Sequence, residues 1–229
     1  MLASSAKEPF NDPDWIFETK LDGYRAVAVI DATGKARIWW RNRLPLEPKF
    51  PTTREAVEEL HLRSTILDGE IVALDEEGIP RFQLLQKWQK RLTAPVAYVL
   101  FDLLWDNGRD LTGKSVIQRR ERLEEIFTPV PGIQVGGFLE KRGVELFKLA
   151  KEKGLEGVIA KKGKARISLA GAHQIGSRLR LGHSKSSLSV ASPKAKEAES
   201  ILERCFWEHT ETGSFVSSDI QEAALQKRD

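Results

Sequence analysis

One lysine in this sequence stands where its amine could act as a nucleophile. Lys20 lies in Glu18-Thr19-Lys20-Leu21-Asp22-Gly23-Tyr24-Arg25, an E-x-K-x-D-G-x-R pattern. The strand-like run Trp15-Ile16-Phe17 leads into it and the turn-prone Asp22-Gly23 follows, so the lysine is held on rigid backbone yet can face a cleft. A lysine nucleophile must be neutral to attack, which calls for desolvation or a neighbouring cation. A bound Mg²⁺ would supply that cation and would stabilise charge building on a phosphoryl group. The flanking carboxylates could bind a metal or the polar edge of a nucleotide, and Arg25 could neutralise a phosphate. Asp-Gly alone reads as an ordinary hairpin turn beside a solvated lysine. With Glu18, Lys20 and Arg25 all in place, chemistry is the better reading.

Four further segments follow in order. They are Arg41-Asn42 after Trp39-Trp40, Leu67-Asp68-Gly69-Glu70-Ile71-Val72, Phe101-Asp102-Leu103-Leu104, and Glu156-Gly157-Val158-Ile159-Ala160-Lys161. Each alone is bland: a surface carboxylate, a core aromatic, a solvated basic pair. Together, in one order and each on a predicted strand or turn, they resemble the motifs of the covalent nucleotidyltransferases: DNA ligases, RNA ligases and capping enzymes. The segments Pro9 to Trp15, Phe82 to Gln86 and Phe101 to Gly113 resemble the ligase domain of bacterial non-homologous end-joining ligases (ligase D) in particular. The likeness runs from about residue 8 to 164.

The resemblance implies an ATP-dependent DNA ligase adenylation domain over residues 1–164, of α+β class, with antiparallel sheets and flanking helices. It implies that Lys20 takes AMP from ATP as a lysyl phosphoramidate and passes it to a DNA 5′-phosphate, after which a 3′-hydroxyl seals the nick. Glu18 would read the adenine amino group and Phe101 would stack on the ring. Glu70 and Arg41 would lie at the ribose, Arg25 near a phosphate, and Lys161 on the α-phosphate. Glu156, with Glu70 and Asp22, would bind Mg²⁺. The expected partners are nicked or broken duplex DNA and DNA-end-binding repair proteins, for a monomeric cytoplasmic enzyme of DNA repair and recombination.

Gly108-Arg109-Asp110-Leu111-Thr112-Gly113-Lys114-Ser115 is a literal G-x-x-x-x-G-K-S match, and it offers a different function: a P-loop ATPase or kinase. Asp106 and Asp110 would put negative charge at a loop that must cradle phosphates. A P-loop domain also needs a parallel βαβ series, which the chain lacks. In the ligase pattern the same stretch is a surface turn. A non-catalytic module that binds nucleotide or DNA ends is the third reading.

The elements that must position these residues are short and mixed. Strands are expected over Arg25–Ile30, Ala36–Trp40, Ile66–Leu74, Val96–Leu104 and Gly157–Ala160, and helices from Thr52, Phe82, Val116 and Val144. The helix near Thr52 carries a plausible Thr-x-x-Glu-type cap. No regular βαβ period appears, hence α+β. The 229 residues suffice for one sizeable domain with an appendage, and 41% apolar with 30% charged residues is ordinary for a globular protein. A net charge of +3 permits a polyanionic partner without announcing one, and a single cysteine excludes an internal disulfide framework. No apolar run is long enough to span a membrane as a helix.

From about Ala165 the character changes to a serine-rich stretch with no sustained period. The ligase pattern calls there for W-x-K-x-K and then an oligonucleotide-binding (OB-fold) barrel, and neither is present. Translated in the frame that starts at the third base of each codon, with wobble bases free, the stretch can spell D-W-V-K-I-K and a barrel-like continuation. Residues 165–229 therefore read as a non-matching tail, either out-of-frame translation after a one-base deletion or disordered. Weak ligation is expected of the chain as written.

Overall fold

The segment carrying Lys20 is the link between two β-sheets. The computed structural model describes residues 4–40, 44–91, 94–167 and 176–180. In chain order the first elements are β1 (Ser4–Ser5), β2 (Trp15–Thr19), β3 (Tyr24–Ile30), β4 (Ala36–Trp40), α1 (Pro51–Glu58), β5 (Thr65–Ala73) and α2 (Phe82–Arg91). There follow β6 (Val96–Asp106), β7 (Arg109–Asp110), α3 (Val116–Ile126), β8 (Ile133–Val135), β9 (Phe138–Glu140), α4 (Gly143–Glu152), β10 (Gly157–Lys162) and β11 (Gly176–Arg180).

One sheet runs β1-β11-β10-β2-β9, the other β4-β3-β5-β6-β7, with β8 added to β6. Pairing is antiparallel except between β1 and β11 and between β6 and β8. The expected α+β class and antiparallel architecture hold, with those two parallel pairings added. Among the described residues no closed barrel is formed.

Each sheet buries its own core. Ala26, Ala28 and Ile30 of β3, Leu67 and Ile71 of β5, and Tyr98 and Leu100 of β6 pack under Val57 of α1, Leu85 of α2 and Leu123 of α3. Phe17 of β2 and Val158 and Ala160 of β10 pack against Leu146 and Ala150 of α4. Helix α4 lies close on β2: a Cβ at Gly143 would fall 2.3 Å from the Phe17 ring and from the Phe10 carbonyl oxygen. Only glycine lets the two approach that far.

The helix starts show which local signals govern. Ser115 caps α3 in a capping box, accepting from the Gln118 N–H at 3.3 Å while the Gln118 side chain accepts from the Ser115 N–H at 3.1 Å. At α1 the expected threonine cap does not form. Phe50 is the N-cap, without a side-chain bond, and Pro51 opens the helix. Proline suits a first helical position because its fixed φ and missing N–H cost nothing there. Thr53 is instead buried in the helix.

Candidate active site

Lys20 follows β2 directly, its N–H donating to the Gly157 carbonyl of β10 at 2.8 Å. Four residues later β3 begins the other sheet, so Lys20 to Gly23 cross from one sheet to the other. Gly23 makes that crossing possible: a Cβ there would sit 2.2 Å from the Ile71 carbonyl oxygen and 3.0 Å from Glu70 Cγ.

The Lys20 ammonium is in direct contact with the Glu156 carboxylate, and the two side chains are 12% and 27% exposed. Beside them the Lys161 ammonium holds Glu18 Oε2 at 2.6 Å, with both side chains at most 10% exposed. Glu18 and Lys161 lie on adjacent strands, where β2 and β10 run antiparallel. Lys161 also stands 4.9 Å from the centre of the Phe101 ring, and the Arg25 guanidinium 5.7 Å from it. Cations near an aromatic face are attracted by its quadrupole.

A bulge places Phe101. Along β5 and β6, Gly69 pairs with Leu100 and Asp68 with Asp102, which leaves Phe101 as the extra residue. Bulges of this kind re-aim a side chain out of the regular alternation. Gly69 sits opposite because a Cβ there would meet the Tyr98 ring and the Val99 carbonyl oxygen, each at 2.6 Å.

Arg25 and Asp68 form a two-pronged ion pair, Nε to Oδ1 at 3.1 Å and Nη2 to Oδ2 at 2.6 Å. Asp68 foremost, and Glu70 and Asp102 after it, hold the Arg25 guanidinium further above its already high pKa. Arg25 and Glu70 are cross-strand partners. Burial pushes the Glu70 carboxyl up to about 7, against the pull of Arg25 and Lys20, and the nearby Asp68 adds to the rise. Asp102 goes the other way. Burial alone would raise it, but hydrogen bonds and charge from Arg119, helped by Lys161, outweigh that and lower its pKa.

Most of the residues picked out in the sequence therefore meet. Lys20, Glu18, Arg25, Glu70, Phe101, Glu156 and Lys161 converge from β2, β3, β5, β6 and the two ends of β10. Arg41 lies outside the described residues. Asp22 stands apart in its bonding: its carboxylate accepts from the Phe82 N–H at the start of α2, at 3.4 Å. Among the described residues no three carboxylate, histidine or cysteine side chains cluster closely enough to hold a metal ion. The donor set thus does not form an all-protein cage from Glu156, Glu70 and Asp22. It fits a Mg²⁺ held by one carboxylate, with phosphate oxygens and water completing the sphere.

Three contributors escaped the sequence reading. Asp68 was visible only as part of D-G-E, and its grip on Arg25 needs the β3–β5 register. Asp102 stands among apolar residues of β6 and is buried against Arg119 at 2.7 and 2.8 Å. Arg120, beside Arg119 on α3, is fully buried. A charged residue in an otherwise apolar run, and an arginine pair on a helix, were the available signals.

The Gly108–Ser115 segment takes no part in this cluster. Asn107 and Gly108, both at positive φ, make the hairpin turn between β6 and β7. Asp110 Oδ1 accepts from the Thr112 N–H and hydroxyl, and Ser115 is spent capping α3. The eight residues are split between a hairpin and a helix cap, so no continuous phosphate loop exists.

The family model of the ATP dependent DNA ligase domain matches residues 1–178. The chain belongs to the ATP-dependent DNA ligase domain family. Among curated relatives it is 37% identical over 164 residues to the multifunctional non-homologous end joining protein LigD of Pseudomonas aeruginosa, a match covering 70% of this chain and 19% of that protein. It is 30% identical to the SPbeta prophage-derived DNA ligase-like protein LigB of Bacillus subtilis, over 71% of this chain and 59% of the relative. The chain thus spans about a fifth of the LigD protein and less than two thirds of LigB. Its fold is similar to the ligase domain of Mycobacterium tuberculosis LigD (TM-score 0.67, 29% identity, 79% of this chain and 57% of that one). It is also similar to mycobacterial DNA ligase D complexed with ATP and MES (TM-score 0.66, 25% identity, 90% and 76% covered). Membership of the ATP-dependent DNA ligase domain family favours the ligase reading over the P-loop alternative.

Proposed function

We propose that this chain is the adenylation core of an ATP-dependent DNA ligase, with Lys20 as the nucleophile. The observation that carries this is the pairing of Lys20 with Glu156, with the Glu18–Lys161 pair beside the Phe101 ring and Glu70 within electrostatic reach of both Lys20 and Arg25. Lys20 Nζ gives up a proton and attacks the α-phosphorus of ATP. A P–N bond forms, the bond to the β-phosphate oxygen breaks, and pyrophosphate leaves. The AMP then passes to a DNA 5′-phosphate, and a 3′-hydroxyl displaces it to close the strand.

Each neighbour has a part in that sequence. Lys161 supplies positive charge for the α-phosphate, and Arg25, set by Asp68, lies ready for a phosphate. Phe101 offers its ring to the base, Glu18 its carboxylate to the amino group, and Glu70 and Arg41 belong at the ribose. Glu156 must let go of Lys20 before the amine can react, and it is the carboxylate best placed to turn to Mg²⁺, with Glu70 and Asp22 behind it. When bound, Mg²⁺ would offset charge on the phosphoryl oxygens. Nicked or broken duplex DNA, and end-binding repair proteins, are the partners that the likeness to LigD supports. Among the described residues no helix is long and apolar enough to cross a membrane. A cytoplasmic monomer is the reading that the likeness to the DNA ligases supports.

The test is retention of label. Incubation with ATP labelled at the α-phosphate, followed by denaturing electrophoresis, leaves label on the chain if a lysyl-AMP forms. Label that is released as free AMP or ADP, with none on protein, would refute the proposal.

We also propose that residues 165–229 are out-of-frame translation. The shifted frame draws its W-V-K-I-K from the codons for Ile175 to Arg180, and Gly176–Arg180 forms β11 along β10. Nick sealing by the chain as written is accordingly expected to be weak. Resequencing across the codons for Lys162 to Ser168 decides it: an additional base supports the proposal, and the sequence as given refutes an error of reading.

A further inference from the structure

Helix α3 carries two neighbouring arginines, and one of them keeps a donor unused. Arg120 is 0% exposed. Its Nη2 donates to the Gly136 carbonyl and its Nη1 to the Leu100 carbonyl, the latter at 3.4 Å. The guanidinium lies 5.2 Å from the centre of the Phe138 ring, and Phe138 is the β9 residue paired with Glu18. Held on these sides, Arg120 presents Nε to Glu18 Oε1 at 3.9 Å. Both atoms are buried and neither has a hydrogen-bond partner.

The other Glu18 oxygen is taken by Lys161 at 2.6 Å. Glu18 thus lies between two cations with one oxygen engaged and one left over. At 3.9 Å the guanidinium attracts Oε1 without a hydrogen bond, so the acceptor is oriented but not capped. A buried acceptor with no donor is costly until something fills it. An exocyclic N–H of a base would fill it. An exocyclic carbonyl would set oxygen against oxygen, because a carboxylate only accepts.

We infer that Arg120 is a positioning residue for base selection, holding the Glu18 carboxylate by charge so that Oε1 stays presented to the amino group of an adenine-type base. This rests on the proposed reading of Glu18 as the group that meets the base.

Calorimetric binding of AMP and of IMP to the purified 229-residue chain tests it, alongside the uncharged variants R120M and R120Q. IMP carries a carbonyl where AMP carries the amino group. The unaltered chain should prefer AMP by about tenfold or more, the worth of one hydrogen bond to a charged acceptor. Both variants should bring that preference to within about threefold. If affinity for the two nucleotides falls by one common factor and the preference survives, Arg120 is only structural and the inference is overturned. Should R120M fail to fold, R120Q, whose amide can still bond the Gly136 carbonyl, decides by the same ratio. An unaltered chain that binds neither nucleotide, or both equally, overturns the Glu18 reading itself and the inference with it.

Discussion

The segments around Lys20 and around Lys114 look alike as sequence. Each leaves a strand through a glycine-containing turn, and each matches a pattern for handling phosphate. Their surroundings differ entirely. Lys20 touches Glu156 and pulls on the Glu70 carboxyl, and Glu18, Lys161, Phe101 and Arg25 join one another from strands far apart in the chain. Lys114 is exposed on a surface turn, where its carbonyl accepts from Arg119 at 2.8 Å and the next residue caps a helix. A motif acquires chemistry from what converges on it, and convergence is a property of the sheets.

That contrast can be broken most sharply by exchanging the lysines. Lys20→Arg should cut covalent labelling from ATP by about a thousandfold or more, since a guanidinium is no nucleophile at neutral pH. Lys114→Ala should leave labelling within about twofold. The reverse pattern would refute Lys20 as the nucleophile.

The next largest effect is on stability. Arg119→Met strands Asp102 in the core without its partner, and breaking a buried pair from one side costs about 3–5 kcal/mol. Urea denaturation measures it, and a loss no larger than that of an exposed pair such as Arg122–Glu125 would contradict the burial described for Arg119.

Smaller again is Gly23→Ala. Its Cβ would press on the Ile71 carbonyl, and overpacking of this kind costs about 1–3 kcal/mol. Because the same bend sets Lys20 and Glu70, labelling should fall more than the melting temperature does. Gly113→Ala, where a Cβ meets nothing within 4 Å, is the matched control at the other motif.

The smallest effect is a pH dependence. Glu70, at about 7 in the folded chain, keeps its proton to higher pH than it does unfolded, where 4.5 is usual. The native state therefore binds more protons between those values, and stability falls as pH rises through that window. Thermal melts in the absence of nucleotide should show a fall of a few degrees between about pH 5 and about pH 8, largely absent in Glu70→Gln. A rise over that interval that Glu70→Gln removes would reverse the sign.

Much of the site was legible because it sits on sequence-local signals. The E-x-K-x-D-G-x-R octet spans a strand end and a turn, whereas D-G-E within β5 and E-G-x-x-x-K along β10, bland alone, were picked out by their order and by resemblance. The strands Arg25–Ile30 and Ala36–Trp40 and the helices at Phe82 and Val116 came from periodicity that tertiary contacts did not override. What stayed hidden depends on register or on distant partners. The three-residue strands β8 and β9 are too short to show alternation. Nothing local says that Phe101 bulges, since that is fixed by which β5 residue lies opposite. Asp102 read as a flaw in a strand because its partner is 17 residues away, on a helix.

Helix α3 grips β6 through Arg119 and faces β2 through Arg120, one residue later. Each sheet has its own core, yet Arg120 lies between them, and separating the two sheets would expose its buried guanidinium to water.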